Sequence, residues 1–118
     1  MYEKNPRLST LIKALEDIQA TDIVVIDVSK QTTITDFMII CSGRASRHVK
    51  AIAENIMPVM KAAGLPTLHL SGLERGDWVL VDLGDFVVHI MQPECRIFYN
   101  LEGLWQDNTT QHDKISHK

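Results

Sequence analysis

The segment GDWVLVDLGDFVVHIM, residues 76–91, constrains the fold more than any other stretch. Two apolar runs alternate with period two on either side of Leu83-Gly84, a pattern that fits an antiparallel hairpin. Glycine supplies the positive φ that a tight turn demands. With Asp82 opposite Asp85, Leu80 faces Val87 and Trp78 faces His89. Alternation then sorts the side chains. Val79, Val81, Phe86, Val88 and Ile90 form one uniformly apolar face. Trp78, Leu80, Asp82, Asp85, Val87, His89 and Met91 form the other, which mixes apolar, aromatic and polar groups.

That mixed face has two readings. Tryptophan offers a large apolar area with one donor at its edge, which suits the centre of a binding surface. Alternatively, Trp78 packs beneath the N-terminal helix and His89 donates to a backbone carbonyl. Asp82 and Asp85 are also ordinary turn residues, and two like charges facing each other tend to point into water.

The rest of the chain supplies what the hairpin packs on. Leu8, Leu11, Ile12, Leu15 and Ile18 recur at helical spacing after an Asn5-Pro6 cap and first turn. DIVVID and the following valine, residues 22–28, read as a strand buried on both faces. DFMIICSG, residues 36–43, reads as a second strand after the polar link KQTTIT. A second helix carries Val49, Ile52, Ala53, Ile56, Met60 and Ala63 on one face, with a kink expected at Pro58 and a stop at Gly64. TLHLSGL is a third strand, ahead of the hairpin. PECRIFYNLEGLW reads as one short closing helix with Phe98, Leu101 and Trp105 on a shared face. The order α-β-β-α-β-β-β-α implies an α/β fold of the α+β-like kind: a mixed five-stranded sheet with packed helices. Residues 1–107 form the one domain, and 108–118 read as a polar, disordered tail in which His112 and His117 are solvated.

Composition narrows the function classes. The chain has 118 residues, enough to bury roughly two thirds of its unfolded surface without metal or disulfides. The net charge of −3 argues against broad nucleic-acid binding and favours a basic partner. Cys41 and Cys95 form no CxxC pair; Cys41 sits in an apolar run and reads as a core residue in a reducing compartment. No run approaches the ~20 apolar residues of a membrane helix, and the N-terminus lacks a signal-peptide pattern, so a cytoplasmic location is expected.

Catalytic readings find little support. The D-x-x-D spacing at the turn does not force both carboxylates onto one cation, and His89 has no nucleophile motif beside it. CSGRASRH, residues 41–48, runs from strand to helix with Gly43 but lacks the phosphate-binding glycine signatures. Arg44, Arg47, His48 and Lys50 crowd the helix start, where the macrodipole disfavours cations. Either an anion sits there or the end is simply solvated. Nucleotide binding or nucleotidyl transfer by this loop with Asp36 is the alternative function, and no cofactor or metal is otherwise implied.

Two segments together, TITDFMIICSGRASRHVKAIAENI (33–56) and GLERGDWVLVDLGDFVVHIMQPECRIFYNLEGLW (72–105), resemble the ribosomal silencing factor S proteins, also called the Iojap family. The features that carry the resemblance are Thr35-Asp36, Ser42-Gly43, Ser46-Arg47, Gly76 through Trp78, Asp82, Val88-His89-Ile90, and the closing Arg96, Phe98, Tyr99, Leu101, Glu102, Leu104 and Trp105. The resemblance implies a fold similar to nucleotidyltransferases without their catalytic carboxylates, and no enzymatic activity. It implies binding to the large ribosomal subunit through its interface protein numbered fourteen, exclusion of the small subunit and repression of translation. Some free members form homodimers. On face and charge, the docking residues expected in this chain are Trp78 as anchor with Glu74, Asp77, Asp82 and His89 around it, and Tyr99 if the last helix folds back.

Overall fold

The computed structural model describes residues 5–107. Helix α1 spans Pro6–Asp17. The Asn5 side chain accepts the Leu8 N–H at 3.2 Å, and Pro6 occupies the first turn, where no donor is missed. Its buried stripe is Leu8, Leu11, Ile12, Ala14 and Leu15. Helix α2 spans Ser46–Ala62 and buries Val49, Ile52, Ala53, Ile56 and Met60. It runs on past Pro58, which is exposed and removes one bond from the helical ladder.

The five strands are β1 (Thr21–Asp27), β2 (Phe37–Ser42), β3 (His69–Ser71), β4 (Trp78–Asp82) and β5 (Phe86–Met91). They form one sheet in the order β1-β2-β5-β4-β3. Only β2 and β5 pair in parallel; the other neighbours are antiparallel. The mixed sheet expected from the sequence is therefore present. Strand β1, however, lies at an edge and not in the doubly buried centre its apolar run suggests. Its burial is partial, and a bulge between Thr21 and Val24 puts Asp22 at φ 51°. Bulges of this kind blunt an edge against unwanted pairing. The buried centre belongs to β2 and β5.

The two faces of the sheet hold two cores. Val79, Val81, Phe86, Val88 and Ile90 meet α1 and α2, together with Ile39 and Cys41. On the opposite face, Ile26, Val28, Met38, Ile40 and Met91 make a smaller cluster. It is covered by the C-terminal segment, which forms two helices and not one: α3 (Pro93–Tyr99) and α4 (Leu101–Asp107). Asn100 separates them in the left-handed region, at φ 49° and ψ 50°. Its side-chain oxygen accepts the Gly103 N–H, so one residue ends α3 and caps α4. Leu101, Trp105 and Cys95 pack on the smaller core. Phe98 does not share their face; it is 78% exposed.

The hairpin register differs from the counted one by two residues. Trp78 lies opposite Met91, Leu80 opposite His89 and Asp82 opposite Val87. The turn is Gly84-Asp85: Leu83 N–H donates to the Phe86 carbonyl, and the Asp82 carboxylate accepts the Gly84 N–H at 2.9 Å. A shift of two preserves which face each strand residue occupies, so the division into apolar and mixed faces stands. Leu83, at 2% exposure, is drawn into the larger core, which is what moves the turn on by one.

Candidate functional site

The mixed face is only half roofed. Helix α4 lies against β1, and on the β4–β5 side Trp78, Leu80, Asp82 and Val87 remain half-buried. Trp78 is on the face opposite α1, so it does not pack beneath that helix. Its indole N–H donates to Nδ1 of His89 at 3.0 Å. His89 is 6% exposed, and burial lowers its pKa to about 4, so the ring is neutral with its proton on Nε2. His89 is thus an acceptor for tryptophan and not a donor to a carbonyl.

Aromatic contacts carry the cluster outward. The Tyr99 ring sits 4.8 Å from that of Trp78, and Phe98 meets Tyr99 edge-on at 4.9 Å. Both distances are those of favourable tilted and T-shaped pairs. Tyr99 is 52% exposed, and Ile97 stands 79% exposed beside Phe98. Helix α3 has no buried residue at all. Three consecutive large apolar side chains on a surface helix are unusual enough to mark an interaction patch.

The expected docking residues divide accordingly. Trp78, His89 and Tyr99 are brought together. Asp77 adjoins Trp78 in sequence and forms a solvent-facing ion pair with Arg75 at 3.3 Å, of the kind that adds little stability. Asp82 lies on the same face, but its carboxylate is engaged in the turn. Glu74 is exposed in a groove of about 620 Å³ shared with Lys50, Glu54 and Leu73, away from the ring cluster. Sequence reasoning missed Ile97 and Phe98 as surface residues. Asn100 was the available signal, because asparagine readily takes the left-handed conformation that breaks a helix.

The loop at residues 41–48 is held by its own contacts. His48 Nδ1 accepts the Arg44 N–H at 3.0 Å, and its Nε2 lies 2.9 Å from the Ile18 carbonyl. The first contact leaves Nδ1 unprotonated, so Nε2 donates and the ring ties the end of α1 to the start of α2. Asp36 stands at the other end of β2, roughly 20 Å away at the rise of an extended strand. The pairing of this loop with Asp36 that a nucleotide site would use is therefore not formed. Among the described residues no three His, Cys, Asp or Glu side chains are grouped as a metal site requires. Cys41 is fully buried, and burial pushes its thiol up to about 12, consistent with a core residue.

Residues 2–118 match the family model described as ribosomal silencing factor during starvation. The chain belongs to this family. It is 46% identical over 94 residues to the ribosomal silencing factor of Chromobacterium violaceum, covering 80% of this chain and 77% of that one. The family member from Haemophilus influenzae is 46% identical over 95 residues, covering 80% and 93%. A mouse protein named for mitochondrial assembly of the ribosomal large subunit is 35% identical over 101 residues, or 83% of this chain and 44% of its own length. A crystal structure from Chromobacterium violaceum superposes with a TM-score of 0.83 at 42% identity, covering 86% of this chain and 84% of the other. One from Bacillus halodurans gives 0.75 at 37% identity, covering 83% and 91%. The silencing-factor resemblance read from residues 33–56 and 72–105 thus agrees with the family match. Among the described residues no helix is long and apolar enough to cross a membrane.

Proposed function

We propose that this chain silences ribosomes by steric exclusion. It docks on the large ribosomal subunit through the interface protein numbered fourteen, prevents the small subunit from joining and so represses translation. The observation that carries this reading is the partly open ring cluster Trp78–Tyr99–Phe98, continued by exposed Ile97, on a family member whose relatives are named for ribosomal silencing. The mouse relative's name supports the large subunit as the target. A surface of about 800 Å² on each partner suffices for a specific complex, and covering it needs no chemistry. The acidic balance of the chain favours encounter with a basic ribosomal protein. The activity is non-catalytic and is exercised in the cytoplasm, where ribosomes assemble.

Sedimentation with separated ribosomal subunits tests this. The chain co-sediments with free large subunits and not with assembled ribosomes, and adding it in excess lowers the yield of joined particles. Equal partition onto small subunits, or undiminished joining, overturns the reading.

A further inference from the structure

The Arg96 side chain is 11% exposed. Its Nε and Nη2 donate to the two oxygens of Glu102 at 2.6 and 3.3 Å, and its Nη1 donates to Ser42 Oγ at 2.8 Å. The two bonds to Glu102 use the planar fork that only arginine provides. Ser42 ends β2, Arg96 lies in α3, and Glu102 lies in the first turn of α4. One side chain therefore ties the end of a central strand to both C-terminal helices.

Helix α3 has little else to fix it. It is seven residues long, and its only apolar side chain on the core is the half-buried Cys95, so length and apolar packing do little to set its orientation. Besides Cys95, it is attached by Arg96 to Ser42 and Glu102, and by the Tyr99 ring to Trp78. We infer that Arg96 is a positioning residue for the docking surface, holding α3 so that Tyr99 stands against Trp78 and carries Phe98 beside it. Its guanidinium is turned inward and consumed by Ser42 and Glu102, so it acts through the rings and not by touching the partner. The inference rests on the docking reading above.

The test compares the parent with Arg96→Ala, Tyr99→Ala and the double variant for binding to purified large subunits. Truncation of a residue that organises an interface centre is expected to weaken binding by roughly tenfold. If Arg96 acts through Tyr99, the double variant is no weaker than the weaker single one; independent contributions would multiply. Arg96→Lys, which keeps the charge but not the fork, fails to restore binding. Ser42→Ala and Glu102→Gln, milder changes, give smaller losses in the same direction and serve if Arg96→Ala does not fold. A readout without ribosomes separates this inference from the docking reading. The Tyr99 ring protons of the parent, lying against an indole, are displaced in the NMR spectrum, and Arg96→Ala returns them toward free-tyrosine values. Parent-like binding by Arg96→Ala, full multiplication in the double variant, or unchanged Tyr99 shifts overturns the positioning role. Failure of the parent to bind, with the Tyr99 shifts lost in Arg96→Ala, overturns the docking reading and leaves the ring placement intact.

Discussion

The indole N–H of Trp78 donates to Nδ1 of His89 at 3.0 Å, from one strand of the hairpin to its neighbour. Protonation of His89 at Nδ1 would remove the acceptor, so the bond and the positive charge exclude each other. Burial already disfavours the charge and sets the folded-state pKa to about 4, below the ordinary histidine value.

This fixes the direction of a pH dependence. Between the ordinary value near 6.5 and the folded value of about 4, the unfolded chain binds a proton that the folded chain refuses. Stability therefore rises with pH across that window and is lost as pH falls through it. The shift corresponds to a contribution of about 3 kcal/mol at most. His89→Gln keeps an acceptor for the indole but cannot titrate. Urea unfolding at pH 7 and pH 4.5 should show a larger loss for the parent than for His89→Gln. Parallel losses in the two proteins would mean that His89 is not held neutral.

His48 makes a second prediction, one that separates structure from ligand binding. It bridges the Arg44 N–H and the Ile18 carbonyl, joining two helices. His48→Ala should lower stability by about 1–2 kcal/mol, the net worth of two hydrogen bonds. Calorimetry with a nucleoside triphosphate and magnesium should give no saturable heat with either protein. Micromolar binding lost in His48→Ala would instead make the 41–48 loop a nucleotide site.

The basic cluster at Arg44, Arg47, His48 and Lys50 shows where sequence stops informing. Residue types at a helix start suggest an anion, but the bond from His48 to Ile18 spans 30 positions and depends on how two helices meet. Local patterns were otherwise readable. The stripes of α1 and α2, the Asn5 cap and the two faces of the hairpin all follow from spacing. Pairing was not: β2 lies parallel to β5 across a long crossover, and that distant choice leaves β1 at the edge. The hairpin register turned on Leu83 entering the core, a tertiary demand that turn propensities do not encode. In the site, Trp78 and His89 were legible as residues of one face. Tyr99 needed the helix to fold back, and the exposure of Ile97 and Phe98 followed from a break at Asn100 that an amphipathic reading ran through.

Gly72 carries a third prediction. It holds φ +84°, and a Cβ there would lie 2.0 Å from the carbonyl oxygen of Trp78. Gly72→Ala meets both an unfavourable backbone conformation and a backbone overlap that no flexible side chain can relieve. The expected cost is about 2 kcal/mol or more, read as a lower urea midpoint. Because the clash falls at the start of β4, the variant should also lose large-subunit binding beyond what its reduced folded fraction explains. A midpoint within error of the parent would place Gly72 in open space.

Phe86 and Phe98 should separate folding from docking in opposite directions. Phe86 is 1% exposed, lies in the larger core and tilts against Phe37 with ring centres 6.0 Å apart. Phe86→Ala deletes a buried ring from a region that cannot close the gap, and the expected loss is about 3–5 kcal/mol. Phe98 is 78% exposed and meets the Tyr99 ring at a right angle. Phe98→Ser removes surface that water already reaches, so its stability should stay within about 0.5 kcal/mol of the parent. Binding reverses the ranking: Phe98→Ser should weaken attachment to large subunits several-fold or more, since apolar surface at an interface centre is where truncation costs most. Among its folded molecules, Phe86→Ala should bind as the parent does once concentration is corrected for the unfolded fraction. If Phe98→Ser sediments with large subunits like the parent, the exposed rings of α3 serve something other than ribosome docking, and the contact would have to lie on another surface.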